Sequence, residues 1–223
     1  MRITQYFVSG VVLAAVMVAN LSAQAADEQA LIAVLRSADS SKPDKAIACK
    51  KLAVFGSKDA VPALAPLLND SELISWARIA LESIPGPEAD KALRNAMETL
   101  EGRSLIGVIN SIAVRRDAGA VPGLTKRLKD KDIEVASVAA VALGKIGGEP
   151  AIKTLQQSLA GPPEAVRSAV AEGCILAAER LLADGKASDA AAIYDEVRKA
   201  DVPKQRIVEA TRGAILARGS EGI

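Results

Sequence analysis

The 223-residue chain contains no histidine. That absence removes the commonest general base, the commonest metal ligand and any Ser-His-Asp arrangement. Aromatic residues make up only 2% of it, although 50% is apolar. A single globular core usually draws bulk from Phe, Tyr and Trp; here Ala, Val, Leu and Ile fill the quota, which suits thin layers of closely packed helices. Apolar alternation at the strand period is almost absent, so the chain reads as all-α. There are two cysteines, Cys49 and Cys174, too few and too far apart for a zinc site, and no CxxCH haem motif. No GxGxxG and no Walker-type phosphate loop occurs. The sequence therefore predicts no catalytic constellation, no metal site and no cofactor.

Charge of either sign is not in excess: 28 basic against 27 acidic residues. At the N-terminus, Arg2 precedes an apolar run from Phe7 to Ala19, and Ala23-Gln24-Ala25 is a small-x-small site. Together these form a secretory signal peptide with cleavage after Ala25. A membrane anchor is the alternative, but a spanning helix needs about 20 apolar residues, and this run is shorter. The expectation is an exported protein, periplasmic or extracellular, with no stable membrane insertion after cleavage. Removing residues 1–25 takes Arg2 and no acid, leaving 27 − 27 = 0 net charge. A neutral chain exerts no net pull on nucleic acid or anionic membrane, so a nucleic-acid partner is not expected.

What is present is repetition. A leucine-type position near the end of each Ala-rich helix recurs at Leu52, Leu81, Ile112 and Leu143, with Gly173 at the next step. An i, i+4 pair recurs on the other helix: Leu31/Leu35, Leu64/Leu68, Leu93/Met97, Leu124/Leu128 and Leu155/Leu159, each pair on one helix face. Ala60-Val61-Pro62 returns as Ala120-Val121-Pro122, with Pro at a first helical turn. Each unit is thus a helix pair of about 30 residues that buries its faces only by stacking on its neighbours. Leu143→Asp is expected to unfold the array locally. Cys49 and Cys174 fall four units apart, at about 10 Å per helix layer, well beyond disulfide reach; each reads as a small buried apolar residue.

Asp132-Ile133-Glu134-Val135 followed by VAAVALGKIG resembles a HEAT repeat of the short, PBS-lyase HEAT-like type, and Glu164 to Ala171 resembles the same opening. The resemblance covers residues 26 to about 180. It implies a right-handed α-solenoid of stacked antiparallel helix pairs and, for most family members, a binding scaffold; a minority serve bilin lyases. Residues 88–118 depart from the pattern, with Glu101-Gly102-Arg103 in place of an acidic turn, and Ser83-Ile84-Pro85-Gly86-Pro87 suggests a kinked or tightened connection. LLADGKASDAAAIYDEV resembles a degenerate tetratricopeptide repeat without its early Trp. The organisation is then 1–25 signal peptide, 26–163 HEAT-like repeats, and 164–223 HEAT/tetratricopeptide-like helices. Gly219 to Ile223 echoes the lead-in Gly56 to Val61, as if a further repeat followed.

Two other signals have ordinary explanations. Gly144 to Gly148 ends a helix instead of following a strand. Asp130, Asp132 and Glu134 form an oxygen-rich turn that could suggest calcium, but the glycine and distal Glu of a calcium loop are missing, so helix capping is the expected role. Candidate partner-binding residues are Trp76, Arg78, Arg115, Arg116 and Arg167, placed on second helices, which line the concave side in HEAT-type arrays. Trp with Arg neighbours is hot-spot composition; the plainer reading is a Trp tucked between layers with solvated arginines. The function expected is a non-catalytic protein- or peptide-binding scaffold. The alternatives are the N-terminal repeat segment of a larger exported oxidoreductase or hydrolase and, last, a bilin lyase-like enzyme. Oligomeric state is left open.

Overall fold

The computed structural model describes residues 25–161 and 163–219. The signal-peptide reading and the terminal echo fall largely on 1–24 and 220–223, outside the described residues. Helices joined by short turns account for the described chain, with no strand among these residues. Contacts divide it into two compact units, one ending at Ala89 and the next starting at Asp90.

The first unit holds α1 (25–36), α2 (Lys42–Phe55), α3 (Val61–Leu64) and α4 (Ile74–Ser83). The Ser41 hydroxyl starts α2 by accepting from the Asp44 N–H at 3.2 Å, and Gly56 follows its last residue. Before α3, the Ser57 side chain caps a single 3-10 turn. The Ser57 N–H in turn donates to Glu28 Oε1 of α1 at 2.6 Å, which ties the first helix down. α3 is short because Pro66 removes a backbone donor, and the chain continues as a 3-10 stretch from Ala65 to Asn69. The expected pair Leu64 and Leu68 is fully buried across that change. α2 packs on α4, with Cys49, Leu52, Ala77 and Leu81 at the contact-facing, inaccessible positions.

α4 stops at Ser83, and three residues, Ile84 to Gly86, separate it from α5 (Pro87–Thr99). The tight connection read from the sequence is made possible by Gly86, whose φ of 105° suits glycine alone. The second unit continues with α6 (Gly102–Arg115), α7 (Val121–Arg127), α8 (Ile133–Ile146), α9 (Glu149–Ser158), α10 (Glu164–Ala183), α11 (Ala187–Lys199) and α12 (Lys204–Arg218). α6 packs on α8, α8 on α10 and α7 on α9; α11 and α12 pack on each other and on α10. The α6–α8, α7–α9, α8–α10 and α10–α12 contacts, each with the helix two places on, are the packing of a helical-repeat stack. Leu93, Leu124 and Leu155 form one inaccessible column, Ile112 and Leu143 another. Each such side chain contributes about 1.5–3 kcal/mol by leaving water.

Local chemistry repeats with the helices. Asp117 caps the 3-10 turn before α7 as Ser57 does before α3. At the α7–α8 turn, Asp130 accepts from the Asp132 N–H at 3.1 Å and Asp132 accepts from the Glu134 N–H at 2.9 Å. Asp70, 60 residues earlier, accepts from the Glu72 N–H at 2.8 Å. The acidic turns therefore cap helices. Where residues 88–118 lack that turn, only Leu100 and Glu101 separate α5 from α6. Beyond it, α10 runs unbroken, and Ala190, Ile193, Tyr194 and Val197 of α11 are all buried. The fold is all-α and of the α-solenoid class.

Candidate functional site

Exposure of large apolar side chains is the most informative surface feature. Among the described residues of the first unit four are exposed, Ile47 and Val54 on α2 and Trp76 and Ile79 on α4. Ile47, Lys50, Lys51 and Val54 are spaced i, i+3, i+4 and i+7, so they share one face of α2. Ala48, Cys49 and Leu52 are buried on the other side. The core column advances from Leu52 to Leu81, and the same step carries Ile47 to Trp76 and Lys50 to Ile79. Because α2 packs on α4, these equivalent positions lie side by side on successive second helices. The result is an apolar strip that includes Trp76, 43% exposed.

The five residues singled out in sequence separate into two kinds. Trp76 is half-exposed and Arg78, two positions on, is half-buried and engaged. The other three belong to the second unit. Arg115 is almost covered, with 9% of its side chain accessible, and its Nε donates to Asp90 at 2.5 Å. Arg116 closes α6 in the left-handed conformation, with φ of 53°, and its side chain is exposed. Arg167 pairs with the Asp201 carboxylate and donates to the Asp201 carbonyl at 3.0 Å. Arg115 and Arg167 thus fasten neighbouring elements. Ile47, Val54 and Ile79 were missed because the sequence reading tracked the buried columns and not the opposite faces of the same helices.

The second unit carries a cleft of about 970 Å³, lined in part by Met97, Leu105, Arg127, Asp130 and Asp132. It exists because the two-residue α5–α6 connection is short beside the longer turn after α7. Lys126, Lys129 and Lys131 also line it, and its arginine is already held: Arg127 donates to Asp130 at 2.9 Å and to the Met97 carbonyl at 2.6 Å. The Asp132 N–H, and then Arg127, keep the Asp130 carboxyl below its ordinary range. Burial pushes the Cys49 thiol to about 11 and that of Cys174 to about 12, so neither is a thiolate near neutral pH. Among the described residues no group of three or more Cys, Asp or Glu is placed to hold a metal ion. No described helix is long and apolar enough to cross a membrane.

This is an all-α helical-repeat stack with an exposed apolar strip on its second helices. A family model for HEAT repeats matches residues 101–174, from the start of α6 into α10, so that segment carries HEAT repeats. No curated protein matches the chain. Among solved structures, an engineered protein is similar at 22% identity over 88% of this chain and 97% of its own, with a TM-score of 0.48. A designed armadillo repeat protein is similar at 18% identity over 85% and 98%, with a TM-score of 0.44. The complex of CpcE and CpcF of phycocyanin lyase from Nostoc sp. PCC7120 is similar at 19% identity over 85% and 82%, also at 0.44.

Proposed function

We propose that this chain is an exported, non-catalytic protein-interaction module and that its partner docks on the second-helix face of the first unit. The observation carrying this reading is the strip formed by Ile47, Val54, Trp76 and Ile79, all exposed on helices whose opposite faces are packed. Exposed apolar side chains grouped on one face, with an aromatic among them, are the composition of an interaction surface. A stack of helix pairs also offers a broad surface without moving parts. Export rests on the N-terminal pattern alone, Arg2, the apolar run and Ala23-Gln24-Ala25.

The test is co-purification of the full-length protein expressed in its own host, with Trp76→Ala as the comparison. A partner held by the wild type and lost by the well-folded variant supports the reading. Equal capture by both moves the interface away from α4 and overturns it. N-terminal sequencing of the protein from the envelope fraction tests export; a mature chain starting at Ala26 is expected, and an intact Met1 in the cytosol would refute it.

A further inference from the structure

The proposed docking face has a charge character that selects its occupant. Its exposed residues on α2 are Ile47, Lys50, Lys51 and Val54, and on α4 Ser75, Trp76, Ile79 and Ser83. The only charges among them are cationic. Of the nearby carboxylates, Asp70 and Glu72 pair with Lys42, Glu82 at the edge of α4 is half-buried and engaged, and Asp44, one turn before Ile47, accepts from the Ser41 hydroxyl at 2.6 Å and keeps its charge at the rim. Lys50 and Lys51 hold no ion pair among the described residues.

We infer that the α2/α4 face docks an acidic amphipathic helix of a partner protein, with an apolar stripe against Ile47, Val54, Trp76 and Ile79 and Asp or Glu beside Lys50 and Lys51. The inference rests on the binding role proposed above and adds the chemistry of the partner. Three arguments favour this occupant. The apolar anchors on α2 are seven residues apart, about 10 Å at 1.5 Å per residue, which matches two turns of a partner helix. Two packed helices offer ridges about 8–10 Å apart, a seat for a third helix. Self-association is opposed: the same face on a second copy would set lysines against lysines, and another exposed apolar cluster among the described residues, Val208, Ile215 and Leu216 on α12, has exposed Arg212 in its midst.

The chain has a single tryptophan, and it sits on this face, so its emission reports occupancy directly. The probes are two synthetic helical peptides with one leucine stripe, flanked by Glu in one and by Lys in the other, and vesicles of phosphatidylglycerol. The full chain is compared with Lys50→Glu/Lys51→Glu and with Trp76→Ala, the last followed by anisotropy of labelled peptide. Both lysines are exposed, so the double variant is expected to keep its circular dichroism and melting temperature. The expected result is a Trp76 blue shift with the Glu-flanked peptide, binding at least about tenfold tighter than the Lys-flanked one at low salt, and inversion of that preference in the double variant. Equal binding of both peptides, abolished by Trp76→Ala, overturns the acidic partner while leaving the docking face intact. Peptide binding that survives Trp76→Ala overturns the face itself, as does the absence of any peptide response. A Trp76 response to vesicles alone assigns the face to anionic lipid, and concentration-dependent dimerisation lost in Trp76→Ala assigns it to a second copy; either overturns the inference.

Discussion

Gly144 and Gly173 meet backbone to backbone where α8 crosses α10. A methyl group on Gly144 would lie 2.6 Å from the Gly173 Cα, and one on Gly173 would lie 2.5 Å from the Ala140 carbonyl oxygen. Both residues are buried, and no flexible side chain stands in between to give way. Gly173→Ala is expected to push the helices apart and to destabilise by about 1–3 kcal/mol. Gly161→Ala is the control, because nothing lies within 4 Å of its added methyl; it should change stability by less than about 0.5 kcal/mol. Urea unfolding of the two variants checks the prediction. Equal midpoints would show that the crossing is loose.

Gly213 of α12 plays the same part against Tyr194 of α11. A methyl there would lie 2.8 Å from the ring Cδ1, and the ring is 1% exposed. Gly213→Ala should therefore destabilise the α11–α12 pair, and Tyr194→Leu in the same background should recover part of the loss by making room. The phenol adds a pH signature. Burial pushes it from 10 up to about 12, so the folded state holds the proton more tightly than the unfolded chain. That share of stability is complete below pH 10 and is lost as pH rises toward 12. Tyr194→Phe should flatten the stability profile in that window.

Much of this architecture was legible because packing imposes a period. The recurring positions Leu52, Leu81, Ile112 and Leu143 are each inaccessible. The expected fifth member of the column, Gly173, falls where two helices come closest, so position was readable and the reason for glycine was not. Closeness of approach depends on the neighbouring helix, which no local pattern reports. The arginines divide for a similar reason. Arg115 and Arg167 read as solvated or partner-binding, yet they reach Asp90 and Asp201, 25 and 34 residues away. Trp76 was identified by residue type, whereas Ile47, Val54 and Ile79 became visible only once burial separated the two faces of α2 and α4.

Cys49 and Cys174 are free and buried, one in each unit, and burial holds both as thiols. A thiolate-selective reagent at pH 8 should modify neither in the native protein at a rate within about a hundredfold of an unfolded control. In rising urea each cysteine then reports the opening of its own unit. Mass spectrometry of the labelled peptides separates the two sites. Coincident labelling would mean that both units open in one cooperative step, and earlier labelling at Cys49 or Cys174 identifies the weaker unit. Fast labelling of either residue in native buffer would contradict its burial.

Acid should weaken the capping turns. Asp130 is held ionised by the Asp132 N–H and by Arg127, and Asp70 by the Glu72 and Leu73 N–H groups and by Lys42. Both carboxyls lie below their ordinary value of 3.8 when folded. A depressed carboxyl binds its proton more weakly in the folded state. Its contribution is therefore present above pH 3.8 and is lost as the pH falls through the lower folded value. Asp130→Asn keeps an oxygen for the Asp132 N–H but gives up the charge facing Arg127. It should cost about 1 kcal/mol at pH 7 and less at pH 3, where the unfolded chain's carboxyl, with its ordinary value of 3.8, already binds its proton. Asp132→Ala, which deletes the acceptor for the Glu134 N–H, should cost about 1 kcal/mol as a lost helix cap. Unfolding curves for the three proteins at pH 7 and pH 3 decide the matter: an Asp130→Asn deficit that stays constant between the two would mean that the Arg127 pairing contributes nothing through charge.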